Sequence, residues 1–188
     1  MKNYLILMGV VVLAMTSCQN KSEYTKEIQQ LDSLKSDLED LKISLKDFDV
    51  EKLLMIDSSA SLHAATLNAG IQDTLSKDEW MLLGNYTKAI NKRLNQFDVK
   101  LRKLNDEVDT SLVKIDELST DLNNNAWNRA LAMKYLRAET TKATELEAAV
   151  SMLKEKAAMA METYHDKHQS VDSLMHRIEE RMQVETEI

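Results

Sequence analysis

The chain has 188 residues, with 24 Lys and Arg against 31 Asp and Glu, a net charge of −7, three Gly, one Cys and no Pro. One cysteine excludes a disulfide framework and a multi-cysteine zinc site. The acidic balance argues against a nucleic-acid partner, and the lack of Pro against a loop-rich fold, which leaves an all-α protein.

The first 17 residues read as a cleaved signal peptide. Lys2 supplies the basic start and Tyr4 to Met15 an apolar run. That run is too short for a spanning helix, which needs about 20 apolar residues. Thr16 and Ser17 follow, then Cys18. This Thr-Ser-Cys ending resembles the lipobox of bacterial lipoproteins, and the resemblance covers only the N-terminus. It departs from the family at Met15, where Leu is usual. The resemblance implies that Cys18 becomes the first mature residue. It would carry a diacylglycerol and an amide-linked, palmitate-type acyl chain, with 18–21 as a short tether. Two or more acyl chains anchor a protein stably without spanning the bilayer. Lipidation would also use up the only thiol. In the family an Asp after the cysteine often signals inner-membrane retention; Gln19 stands here, which favours the outer membrane. The periplasmic or the surface face is left open.

Residues 22–188 read as a single helical bundle domain. The first helix is expected over about 22–69. Leu31, Leu38 and Leu45 recur every seven residues, with Leu34, Leu41 and Phe48 three later. That is the heptad period of a packed seam. The step from Leu45 to Leu53 takes eight residues, so the phase slips. With no Gly or Pro there, a continuous helix is favoured. The alternative is a break near Asp49, giving four helices. Gly70 and Asp73 mark the end.

The second helix is expected over about 77–122. Ser76 and Glu79 have capping-box spacing. From Trp80 to Leu122 the seam then advances in steps of three or four, with Thr87 and Ser111 its only polar members. Three asparagines at 123–125 break the chain. The third helix is expected over about 126–186. Its seam is regular from Leu146, and its alanines suit close helix approach.

Short turns make sequential helices antiparallel neighbours. The expected architecture is an elongated antiparallel three-helix bundle or coiled coil. Matching residues level by level brings the third helix to the distal turn near Ser170. The last turns would then project as an exposed apolar stripe of Val171, Leu174, Met175, Ile178 and Met182. Exposed stripes usually mark an interface, so this tip is the candidate site for a protein partner or for self-association through the C-terminal helix.

Chemistry has few candidates. Glu162 and His165 form one Glu-x-x-His pair, whereas a di-iron bundle needs two pairs and two more Glu. His63 lies on the seam; His165 and His168 lie off it, so no metal site is expected. No phosphate loop or nucleophile motif occurs, and no catalytic residue or cofactor is expected. Lys88, Lys92, Arg93, Lys100, Arg102 and Lys103 form a basic run interrupted only by Asp98. It could meet anionic lipid heads or an acidic partner, but pairing with the acidic first helix is the favoured expectation. Trp80 and Trp127 are expected to plug the two ends of the core. The sequence thus points to a membrane-anchored envelope lipoprotein, structural or scaffolding in role and not an enzyme. The alternative is a periplasmic ligand-binding or chaperone-like helical protein.

Overall fold

The computed structural model describes residues 23–68 and 75–186, with side chains through Arg181. Cys18 and the signal segment lie outside the described residues. Among the described residues there is no strand. Within them five helices follow one another: α1 (Thr25–Lys46), α2 (Val50–Asn68), α3 (Lys77–Leu94), α4 (Phe97–Asn123) and α5 (Arg129–Thr186).

The heptad leucines explain α1. Leu31, Leu38 and Leu45 are all buried in one core shared by every helix. The phase slip after Leu45 is a true break, which corrects the expectation of a continuous first helix. Residues 47–49 leave the helix, and Asp49 starts the next one. Its carboxylate Oδ1 accepts the Lys52 backbone N–H at 3.1 Å, and its carbonyl accepts from Leu53 at 3.0 Å. A side-chain acceptor at this position replaces a bond that the first turn lacks.

α3 begins with the capping box read from the sequence. The Ser76 side chain accepts from the Glu79 N–H, and the Glu79 carboxylate accepts from the Ser76 N–H. The helix expected over 77–122 is divided at Asn95 and Gln96. Gln96 takes the left-handed conformation, with φ 54°. The seam hides this break, because Leu94, Phe97 and Leu101 keep steps of three and four across it and all stay buried.

α1 and α2 form one arm, α3 and α4 a second running back, and α5 a third along both. α1 packs on α4, α2 on α3, and α5 on all four. The register is antiparallel: Lys35 meets Asp116, and seven residues on, Lys42 meets Asp109, seven residues back. The two breaks fall at one level, where the rings of Phe48 and Phe97 meet edge to face at 5.4 Å. α5 passes this joint unbroken. At 58 residues it is about 87 Å long, and the molecule is a rod.

The proximal end is closed by side chains. The Tyr24 hydroxyl donates to the Trp127 carbonyl at 2.6 Å, and Arg129 pairs with the buried Glu27 at 2.8 Å. Trp127 packs against the core here, as expected. Trp80 does not: it is 45% exposed.

At the distal end Val171, Leu174, Met175 and Ile178 are buried, between 0% and 7% exposed. The expected projecting stripe is therefore core; the Met182 side chain lies outside the described residues. The stripe is covered because the second arm reaches further along α5 per residue than an unbroken helix would. Between Glu107 and Glu79 the second arm spends 28 residues; between their partners Lys142 and Arg177, α5 spends 35. The start of α3 thus stands beside Arg177, not Ser170.

Candidate interaction surface

With the distal stripe buried, two charged grooves along the sides of α5 are the candidate surfaces. On one side α4 and α5 frame a groove of about 510 Å³. Leu104, Leu146, Ala149, Met152 and Leu153 make its floor. Lys100, Lys103, Lys142 and Lys156 line its rim together with Glu107 and Glu145. A second hollow of about 580 Å³ continues it toward α3, lined by Lys88, Lys92, Arg93, Glu155, Lys156 and Met159.

The basic run expected to pair with the first helix belongs to this side. The structure corrects that expectation. The lysines of α1 reach across to acids of α4, Lys35 to Asp116 at 2.7 Å and Lys42 to Asp109 at 2.5 Å. In the run itself Arg102 pairs with Asp98 on its own helix, and Lys103 shares Glu107 with Lys142. Arg93 donates to the Ala89 carbonyl at 2.8 Å. Among the described residues, Lys88 and Lys92 meet no acid within ion-pair distance. The Lys142 hydrogen bond holds the Glu107 carboxyl below its ordinary value, and Glu107 in turn raises Lys142. The rim therefore carries fixed charge.

On the other side α1 and α5 frame a groove of about 540 Å³ with the opposite sign. Asp37, Asp40 and Glu147 line it above a floor of Leu34, Leu41 and Ala143, and no cation lines it. The sequence reading did not single out this site. Its signal was present: Asp37 and Asp40 sit beside the seam leucines, at positions that flank a helix interface.

A polar nest lies in the distal core. His63 on α2 is 7% exposed and faces the buried Tyr86 of α3, with ring centroids 6.1 Å apart. On α5 Tyr164 stacks on His168 at 4.0 Å, and His168 Nε2 lies 3.0 Å from Asp172. Among the described residues His63 Nδ1, Tyr86 Oη and His168 Nδ1 have no hydrogen-bond partner. Burial lowers the His63 pKa and pushes the Tyr86 hydroxyl up to about 12. His63 is on the seam, as read. Glu162 and His165 are both exposed. Among the described residues no three His, Cys, Asp or Glu side chains gather as a metal-holding group.

Among the described residues no helix is long and apolar enough to cross a membrane. Comparison with protein-family models, with curated proteins and with solved structures gives no match to this chain.

Proposed function

We propose that the chain is a lipid-anchored protein of the bacterial envelope, held through an acylated Cys18, that acts as a structural or scaffolding rod. The observation that carries this reading is Cys18 itself. It stands behind Thr16 and Ser17 and a 12-residue apolar run, Tyr4 to Met15, that is too short to span a bilayer. Acylation would convert that segment from a discarded leader into the route to a stable surface anchor.

The geometry fits such a role. Tyr24, six residues after Cys18, is bonded to Trp127 at the end where α1, α4 and α5 meet. That end would face the bilayer. The far end, where Glu79 meets Arg177, stands on the order of 70 Å away along α5. A rod of this length holds a surface clear of the headgroups. The charged grooves beside α5 are the surfaces it would hold, which favours a protein-interaction role. Gln19 after the cysteine favours the outer membrane.

The test is the mass of the mature chain expressed in bacteria. Residues 1–17 should be absent, and Cys18 should carry a diacylglycerol and an amide-linked acyl chain that takes up labelled palmitate. The Cys18→Ala variant should lose the label and leave the membrane fraction. Density separation of the two membranes should place the parent chain in the outer one. An unmodified Cys18 on a chain recovered from the soluble fraction would overturn the reading.

A further inference from the structure

We infer that the anchored end of the rod docks on the lipid surface itself. The docking face is built from Trp127, Leu131 and Tyr135, flanked by Lys134 and Arg137. The inference deepens the anchoring proposed above and rests on that reading, because the tether is what selects the occupant.

Reach comes first. Six residue steps separate Cys18 from Tyr24. An acylated Cys18 therefore holds Tyr24 within about 22 Å of the headgroups, whatever path the chain takes between them. The Tyr24 hydroxyl donates to the Trp127 carbonyl at 2.6 Å, so Trp127 stands one tyrosine side chain further on. Leu131 and Tyr135 follow within about 12 Å along α5, and the Trp127 and Tyr135 rings meet at 4.6 Å. A face tethered this closely meets the bilayer at a high effective concentration, which a soluble partner lacks.

The chemistry of the face fits a lipid surface. Tyr135 is 45% and Leu131 38% exposed, and Trp127 is half-buried beside them. Rings with an apolar body and a polar N–H or O–H collect where hydrocarbon meets headgroups. From Asn128 to Thr144 the exposed charged residues are Arg129, Lys134 and Arg137, all cations. The first acid of α5 is Glu139, beyond Tyr135 and half-buried. Arg129 is engaged by Glu27. Among the described residues Lys134 and Arg137 meet no acid within ion-pair distance.

Charge then sets the direction of approach. Asp116, Glu117 and Asp121 line a hollow with Val113 and Thr120, all of α4, and no residue of α5 borders it. Glu23 precedes α1. Anionic lipid therefore attracts the α5 face and repels the α4 face. The headgroup layer is only about 5–8 Å deep on each side of the hydrocarbon. An upright rod would dip Trp127 alone into it, whereas a rod leaning toward α5 lays Leu131 and Tyr135 along it too. The rod thus meets the bilayer at a set tilt, with the start of α5 nearest the lipid.

The test uses the full processed chain, with Cys18 shown by mass to be acylated. It is placed in vesicles of phosphatidylethanolamine and phosphatidylglycerol whose acyl chains are brominated, since bromine quenches tryptophan emission only at close contact. The two tryptophans report the two ends. Trp80→Phe leaves Trp127, and Trp127→Phe leaves the exposed Trp80 at the start of α3. Trp127 should be quenched and Trp80 should not. Lys134→Glu with Arg137→Glu should lower the ratio of docked to free ends about tenfold or more, read as lost quenching. That variant should stay in the vesicle fraction through its acyl chains. Both changed residues are exposed, so its helical circular dichroism should match the parent's. Unquenched Trp127 overturns the inference, and unquenched emission that shifts with chain density would give the face to a second copy instead. Quenching that survives the charge reversal also overturns it, because the tether alone then accounts for the contact. Quenching of Trp80 as well would mean a rod lying flat, which overturns the set tilt. Cys18 is acylated in every sample, so none of these failures touches the anchor.

Discussion

Replacing His63 with leucine should stabilise the rod and remove part of its acid sensitivity. His63 is 7% exposed, faces Tyr86, and leaves Nδ1 without a partner. An unsatisfied buried polar atom costs roughly 1–3 kcal/mol, and exchanging it for an apolar group of similar size recovers much of that. A gain of about 1 kcal/mol at neutral pH is the expected size. The pH dependence follows from the groups around the ring. Burial lowers its pKa most; Asp172 and Glu179 of α5 raise it, and His168 lowers it further. The folded-state value therefore lies below the unfolded one. As pH falls below the ordinary histidine range, near 6.5, the unfolded chain binds the proton first and stability drops. The loss levels off once pH is below the folded-state value. A single proton limits the slope to about 1.4 kcal/mol per pH unit. Urea unfolding followed by helical circular dichroism, at several pH values between 8 and 5, gives the comparison. The leucine variant's advantage should grow toward acid. An advantage that is constant with pH, or that shrinks toward acid, would refute the reasoning.

Gly84 lies inside α3 with ordinary helical backbone, and a methyl group there would meet only Leu67 Cδ2, at 4.0 Å. Gly84→Ala should therefore raise stability by about 1 kcal/mol, read as a higher urea midpoint; a lower midpoint would mean that α2 and α3 are packed more closely. Phe48→Leu and Phe97→Leu should be coupled by about 0.5–1.5 kcal/mol in a double-mutant cycle, because their rings meet edge to face at 5.4 Å; additivity would remove the contact as the link between the breaks. Arg129→Ala should cost about 1–3 kcal/mol, since it strips the partner from the Glu27 carboxylate, whose side chain is 7% exposed. Glu27→Gln in the Arg129→Ala background should restore part of that loss, and a variant as stable as the parent would show that Glu27 needs no partner.

Much of this fold was legible because burial here follows strict helical spacing. Leu31, Leu38 and Leu45 recur at sevens and are buried, and the second seam predicts the buried line from Leu83 to Leu122. The two breaks differ in kind. The first left a trace, an eight-residue step, and its deciding residue was Asp49, whose acceptor oxygen starts α2. The absence of Gly and Pro was the wrong criterion, because a capping carboxylate starts a helix without either. The second break left no trace in the seam, since the left-handed residue is the exposed Gln96 and the buried line continues past it. The site was less legible. An apolar stripe such as Val171 to Ile178 reads the same whether a partner or the chain's own α3 covers it. A basic run likewise does not say which helix it faces. Only the packed bundle shows the run of α3 and α4 lying beside α5, where Lys88, Lys92, Lys100 and Lys103 line its grooves.

The joint ties these observations together. Each outer arm is two helices meeting at a break, and both breaks lie at the level of Phe48 and Phe97. Below the joint α5 packs on α1 and α4, and above it on α2 and α3. α5 is the element common to both halves, and nothing interrupts it near that level. A helix fixed by four neighbours along one face loses little freedom when its opposite face binds, so less binding energy is spent on ordering. The charged grooves on its two sides are also built from pairs that the register fixes, such as Lys142 with Glu107. The two charged grooves therefore rest on the element that runs unbroken past the joint.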